Sequence, residues 1–316
     1  ILYIYIIYIY ICIIIMYHDS HAHLQLGNNS DEKLKNYENM YRKNLIGQMI
    51  CNSTSENDFK EIEILSNQFK NRIIPCYGVH PWYIDHCTDG WLGRLKARLI
   101  NHPQSLVGEI GLDKKRNYGV KQKEIFESQL KLAIELKRPA SIHCVRCHGT
   151  MFEILKKYLY VNYDNKKTMK KRKSMLKDDL PPMLLHGWSG SYDMSKMFAL
   201  TFPNIYYSFS VPLRLKSLKG IPINRVLAET DDTDPINIQN AYKELAKYYK
   251  KSESEIIHIV NKNFIDCFGT KNIENERSDH DDDGTTITNS NRQLRRKIYY
   301  YASLVILLSI NSLFLK

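Results

Sequence analysis

The chain has 316 residues, of which 43% are hydrophobic and 25% charged. These proportions are those of a globular protein that can bury a core, which excludes a chain that is disordered throughout. The net charge of +11 favours anionic partners such as nucleic acid, nucleotides or acidic membranes. Seven scattered cysteines without a framework spacing predict free thiols in a reducing compartment, and we expect a cytoplasmic or nuclear protein.

The two ends of the chain differ from the rest. Residues 1–15 are wholly apolar or aromatic and lack the positive region of a signal peptide, so we predict a non-native extension that precedes the true start at Met16. Residues 269–297 are typical of a disordered linker. Residues 298–316 follow a basic triplet and are mostly apolar, which makes a tail anchor one interpretation. Several serines and an asparagine in that tail count against membrane contact.

Short apolar runs alternate with amphipathic segments from residue 16 to about residue 268. We predict eight strands, at residues 16–21, 45–51, 72–79, 105–112, 140–145, 183–188, 205–210 and 225–230. Residues 121–137 carry an apolar stripe at helical spacing, and Ser252 with Glu255 forms a capping box that opens a final helix. Eight strand–helix units over about 250 residues favour an α/β fold of the TIM (β/α)8 barrel type over a doubly wound sheet.

A basic insertion at residues 162–181 interrupts this pattern between the fifth helix and the sixth strand. Residues 166–177 contain seven Lys and Arg and no acid. In a barrel this connection lies on the face opposite the active site, and the simplest interpretation is a solvated loop.

Metal-competent side chains recur where the predicted strands end. The set comprises His21, His23, Glu109, His143, His186 and Asp231. One such residue alone usually caps a helix or bonds a loop, but these lie on five different strands whose carboxyl ends converge in a barrel. Six ligands exceed the need of one tetrahedral zinc and suffice for two divalent ions that share a carboxylate and a water. This pattern predicts hydrolysis of an anionic substrate such as a phosphodiester.

Six motifs in order, DSHAHL, GVHPW, GEIGLD, IHC, HGWSG and ETD, resemble those of the TatD-like metal-dependent hydrolases of the amidohydrolase superfamily. The resemblance covers residues 16–268 and is greatest to the eukaryotic branch that includes the fungal Cut9-interacting protein. It implies a TIM barrel of the metal-dependent hydrolase type and, for several members, 3′→5′ exonuclease activity on DNA.

The resemblance also implies a role for each motif residue. The ligands of two divalent ions (Mg²⁺, Mn²⁺ or Zn²⁺) would be His21, His23, Glu109, His143, His186 and Asp231. Among them Glu109 would bridge the ions and Asp231 would also act as the base for the nucleophilic water. His80 would lie near the scissile phosphate, and Arg146 would contact a phosphate although it stands later than the family pattern. This chain departs from the family pattern at two further places: KKRN follows GEIGLD, and Asp232 follows ETD.

Three hypotheses follow. The leading one is a phosphodiesterase or deoxyribonuclease that acts on DNA as a monomer. The second is a small-molecule hydrolase of the same superfamily that cleaves an ester or amide. The third is a non-catalytic barrel that binds a protein partner, although such a scaffold has no need of six metal ligands.

Overall fold

A sheet of eight parallel strands forms the centre of the protein, and each strand lies at one of the predicted apolar runs. The computed structural model describes residues 16–27, 30–116, 118–161, 180–231 and 234–269. The strands are β1 (Tyr17–Ala22), β2 (Ile46–Asn52), β3 (Ile73–Tyr77), β4 (Leu106–Asp113), β5 (Ala140–Val145), β6 (Met183–Leu185), β7 (Ile205–Phe209) and β8 (Val226–Ala228).

The strands pair in sequence order from β1 to β8, and every pairing is parallel. Contacts between the two ends of the chain bring β8 back to β1. The Asp231 amide donates to the carbonyl oxygen of His21 at 2.9 Å, the His23 amide donates to the carbonyl oxygen of Asp231 at 3.2 Å, and Ser20 Oγ donates to the Ala228 carbonyl at 2.9 Å. The predicted TIM barrel is therefore confirmed.

Helices connect the strands and cover the outside of the sheet. They are α1 (Ser30–Arg42), α2 (Phe59–Gln68), α3 (Trp91–Asn101), α4 (Val120–Glu135), α5 (His148–Val161), α6 (Tyr192–Thr201), α7 (Leu215–Leu218), α8 (Ile238–Tyr249) and α9 (Glu253–Phe268). The helix expected at residues 121–137 is α4. The predicted capping box opens α9, with Ser252 accepting from the Glu255 amide and the Glu255 side chain accepting from the Ser252 amide.

The core fills the barrel and the layer between strands and helices. In α8 the buried residues Ile238, Ala241, Tyr242 and Leu245 recur every three to four positions, so one face of the helix packs on the sheet. Between β4 and β5 the approach is so close that a Cβ at Gly111 would lie 2.0 Å from a main-chain carbonyl oxygen of β5. Gly111 also has φ of +151°, a region that side chains rarely adopt, so only glycine suits this position.

Several predicted segments lie outside the described residues: the extension 1–15, most of the insertion 162–181, the linker 269–297 beyond Gly269, the tail 298–316, and Asp232. Their assignments stay predictions. Within the described part of the chain, no helix is both long and apolar enough to cross a membrane. The six cysteines that the structure describes are all free thiols, as predicted.

Candidate metal centre

The six predicted ligands meet at the carboxyl ends of the strands, around the carboxylate of Glu109. His21 and Glu109 lie within β1 and β4, and His143 lies within β5. His23 and His186 directly follow β1 and β6, and Asp231 lies three residues beyond the end of β8. All except Asp231 are buried, and the Asp231 side chain is 40% exposed.

The first cluster joins the two histidines of the HAH motif to two carboxylates. His21 Nε2 and His23 Nε2 lie 3.2 Å apart. They lie 3.4 and 3.0 Å from Glu109 Oε2, and 3.7 and 3.8 Å from Asp231 Oδ1. Because i and i+2 side chains project together from a strand, the motif delivers both rings to one side.

The second cluster uses the other oxygen of the same carboxylate. Glu109 Oε1 lies 2.7 Å from His143 Nδ1 and 2.7 Å from His186 Nε2, and these two nitrogens are 3.1 Å apart. One carboxylate is thus shared between two groups of imidazoles, each oxygen facing one group. Among the described residues, three overlapping groups of ligand atoms are able to hold a metal ion, and Glu109 belongs to two of them.

Hydrogen bonds on the far side of the rings fix which nitrogens can bind a cation. His23 Nδ1 donates to the carbonyl oxygen of Asn52 at 2.8 Å, and His143 Nε2 donates to Asp113 Oδ2 at 3.1 Å. The opposite nitrogens face Glu109, where each would offer its lone pair to a bound cation, as metal-ligating histidines do. The donor atoms within the two clusters lie 2.7–3.8 Å apart. This range includes about 3.3 Å, the edge of a tetrahedron with bonds of 2.0–2.1 Å, so the donor set fits divalent metal ions.

The electrostatic environment keeps Glu109 ionised. Burial alone would raise the pKa of Glu109, but the imidazoles of His80, His186 and His21 hold it well below its usual range. Burial lowers the pKa of His21 to about 4. Burial also opposes the charge of His143, yet its hydrogen bonds to carboxylates raise its pKa to about 9.

The Asp231 main chain has φ of +56°, in the left-handed region that few residues other than glycine adopt. The hydrogen bonds of its amide and carbonyl groups to β1 hold it there. This conformation turns the carboxylate towards the first cluster on one side and towards solvent on the other.

His80 faces the second cluster as a donor. Its Nδ1 accepts from the Trp82 amide at 3.1 Å, so the neutral ring carries its proton on Nε2. That nitrogen lies 3.4 Å from Glu109 Oε1 and 3.3 Å from His143 Nδ1. The arrangement favours a hydrogen bond to substrate over metal ligation.

A cleft of about 440 Å³ opens beside His143, His186 and Asp231. Arg146 lines it, as does Trp188. Two cations that the motifs did not single out also line it: Lys115, which follows β4, and Arg214, which follows β7. Positive charge therefore surrounds the exposed edge of the clusters, which suits an anionic substrate.

A protein-family model described as TatD related DNase matches residues 18–269. The chain belongs to this TatD family. The chain is therefore a hydrolase that acts on ester bonds, and its histidine and carboxylate clusters suit a divalent metal ion.

Relatives of this TatD chain include the Cut9-interacting protein scn1 of Schizosaccharomyces pombe, 24% identical over 289 residues that cover 66% of this chain and 86% of scn1. The human 3'-5' RNA nuclease TATDN2 is 28% identical over 170 residues, which cover 49% of this chain and only 19% of that protein. Among solved structures, the TatD homologue YJJV of Escherichia coli is 20% identical and covers 82% of this chain and 100% of that one, with a TM-score of 0.66. This likeness is one of fold.

The sequence did not assign a role to Asp113, although it ends the GEIGLD motif of this TatD chain. Asp113 is buried and accepts from three donors: the Lys115 amide at 2.7 Å, Trp82 Nε1 at 2.7 Å and His143 Nε2. Its place at the end of a strand was the available signal. Its contact with His143 depends on how β4 and β5 align, which the sequence does not state.

Proposed function

We propose that the chain is a 3′→5′ exodeoxyribonuclease that uses two divalent metal ions and an activated water to hydrolyse phosphodiester bonds. The observation that carries the proposal is the sharing of Glu109 between two imidazole groups. It is supported by the family description, by the 3'-5' direction in the name of the human RNA nuclease and by the basic cleft.

Each residue has a part in this proposal. His21, His23 and Asp231 would hold one ion with Glu109 Oε2, and His143 and His186 would hold the other with Glu109 Oε1. The native metal would be Mg²⁺, Mn²⁺ or Zn²⁺. When bound, such a pair clamps the attacking and leaving oxygens and lowers the pKa of a shared water.

The protein groups around the clusters complete the chemistry. Asp231 Oδ1 borders both the first cluster and the cleft, so its carboxylate can orient the attacking water and accept its proton. His80 Nε2 donates towards the phosphoryl oxygen nearest the second cluster. Arg146, Lys115 and Arg214 balance the charge of the phosphates in the cleft. These three cations count against a small uncharged ester as substrate.

The test is cleavage of 3′-labelled single-stranded DNA by the purified chain with and without Mg²⁺ or Mn²⁺. We expect metal-dependent release of label by the wild type, and loss of that activity in Asp231→Asn. Asp266→Asn is the matched control, because Asp266 is exposed on α9 and, among the residues that the structure describes, forms its ion pair with Lys262. An RNA strand of the same sequence forms a second arm. A folded, metal-loaded protein that cleaves neither strand would refute the proposal.

Further assignments belong to the same proposal. We expect a monomer that acts in the cytoplasm or nucleus. The free thiols support this location. The name of scn1 motivates a search for a protein partner by pull-down with wild type and Asp231→Asn in parallel. Membrane contact through residues 298–316 stays a prediction.

A further inference from the structure

A surface made by the loops after β3 and β4 and by the first turn of α4 borders the cleft, and the proposed chemistry does not use it. It consists of Trp82, Lys114, Arg116, Tyr118 and Lys123, and is called here the β4 edge. Lys115, which lines the cleft, stands between Lys114 and Arg116 in the chain, so the edge is continuous with the cleft.

Two aromatic rings organise the cations of the β4 edge. The Arg116 guanidinium lies over the Trp82 indole, 4.9 Å from the ring centroid. Lys114 Nζ and Lys123 Nζ lie 5.4 and 5.2 Å from the centroid of Tyr118. Cations held over rings in this way keep their charge available to a ligand, since no ion pair with a carboxylate of the described residues neutralises them. The nearby Lys121, by contrast, pairs with Asp85 at 2.8 Å.

Trp82 is both exposed and rigidly placed. Its side chain is 38% exposed, although large aromatic residues are usually buried. Its Nε1 donates to Asp113 Oδ2 at 2.7 Å, and Asp113 in turn holds His143. The stack of Arg116 on Trp82 therefore stands at a fixed position one residue away from the second cluster.

We infer that the β4 edge is a nucleotide subsite outside the reaction centre, an inference that rests on the proposed function. A base next to the reacting bond stacks on the Arg116 guanidinium backed by Trp82, and Lys114 and Lys123 contact the following phosphates. Aromatic and guanidinium planes accept any base, while the lysines track the backbone, the combination by which proteins hold single strands.

Scanning abasic sites along a fluorescent eight-nucleotide DNA strand tests this subsite. Binding is measured by anisotropy with the full chain in the Asp231→Asn background, where no cleavage interferes. We expect one position at which loss of the base weakens binding about ten-fold. Arg116→Ala weakens binding of the intact strand by a similar factor and removes the penalty of the abasic site. Arg116→Lys restores the charge but not the base effect, because an ammonium has no plane to stack.

Two further measurements separate stacking from charge. Lys114→Ala and Lys123→Ala each reduce the slope of log affinity against log salt by about 0.7, the value for one phosphate contact on a single strand. Arg42→Ala, an exposed arginine at the far end of α1, is the control and leaves both the slope and the base effect unchanged.

Either of two results would overturn the inference: no strand position with a base effect, or polyglutamate that competes as well as a DNA strand of equal charge. The second result would indicate that the β4 edge binds acidic proteins rather than nucleic acid. Failure of wild-type cleavage on every strand would instead refute the proposed function, and the binding data would still decide on the subsite.

Discussion

Asp113→Asn tests whether the Asp113 carboxylate, which contacts His143 on the side away from Glu109, sets the affinity of the second cluster for a metal ion. Asp113 accepts hydrogen bonds from the Lys115 amide, Trp82 Nε1 and His143 Nε2. An asparagine has one acceptor oxygen and an NH2 group, so at least one of these buried donors must face another donor. If the NH2 faces His143, the ring must move its proton to Nδ1, the nitrogen that faces Glu109.

The expected loss of metal affinity follows from the number of hydrogen-bond donors left without an acceptor. One buried donor left without an acceptor costs about 1–3 kcal/mol, and replacement of an outer carboxylate of a metal site costs about 10–100-fold in metal affinity. The two estimates agree, since about 1.4 kcal/mol corresponds to ten-fold. We therefore expect Asp113→Asn to bind Mn²⁺ about 10–100-fold more weakly in calorimetric titrations, with cleavage partly restored by excess metal.

The matched control for this variant is Asp266→Asn, which makes the same chemical change on an exposed helix face. Circular dichroism establishes that each variant is folded. Unchanged metal affinity in a folded Asp113→Asn protein would refute the reasoning, because His143 would then keep its donor nitrogen without the carboxylate.

Three other predictions concern stability and the insertion. Gly111→Ala places a methyl group 2.0 Å from the His143 carbonyl oxygen and should cost about 3 kcal/mol of unfolding free energy in urea titrations, whereas Gly149→Ala, with open space around it, should cost nothing. Equal stability of the two variants would contradict the close approach of β4 and β5. Burial lowers the pKa of His18 to about 3, so the unfolded chain takes up the extra proton below pH 6.5 and stability falls as the pH falls. The difference in unfolding free energy between wild type and His18→Gln should therefore change by up to about 1.4 kcal/mol per pH unit below pH 6. Parallel plots of the two unfolding free energies against pH would contradict this. Neutralising the seven basic residues of 166–177 should leave kcat on DNA unchanged at low salt; a large loss of turnover would contradict their predicted place opposite the active site.

The strands and the six side chains that meet around Glu109 could be predicted because their signals are local. A parallel strand buried on both faces is a short apolar run, and a histidine or carboxylate at its end is visible in the sequence. His143 and His186 were predicted in this way without any knowledge of their neighbours.

The connections among those residues could not be predicted, because they depend on strand alignment and side-chain direction. The sharing of Glu109 between two clusters requires each of its oxygens to face a different strand pair. Arg214 stands in no motif, and only the loop after β7 brings it into the cleft. The proton on His80 Nε2 follows from a local hydrogen bond with the Trp82 amide, which becomes apparent only once the turn after β3 is known.

The main-chain hydrogen bonds that join Asp231 to His21 and His23 have a consequence for the newly made protein. These bonds link residues more than 200 positions apart in the chain, and they lie at the first cluster itself. A nascent chain on the ribosome therefore lacks both the closing contact and the last ligand until β8 has emerged. An ion held by residues beside both β1 and β8 would stabilise only the closed form, so metal binding would add to the stability of the finished barrel. A hydrolase built in this way stays inactive until β8 has emerged and closed the barrel.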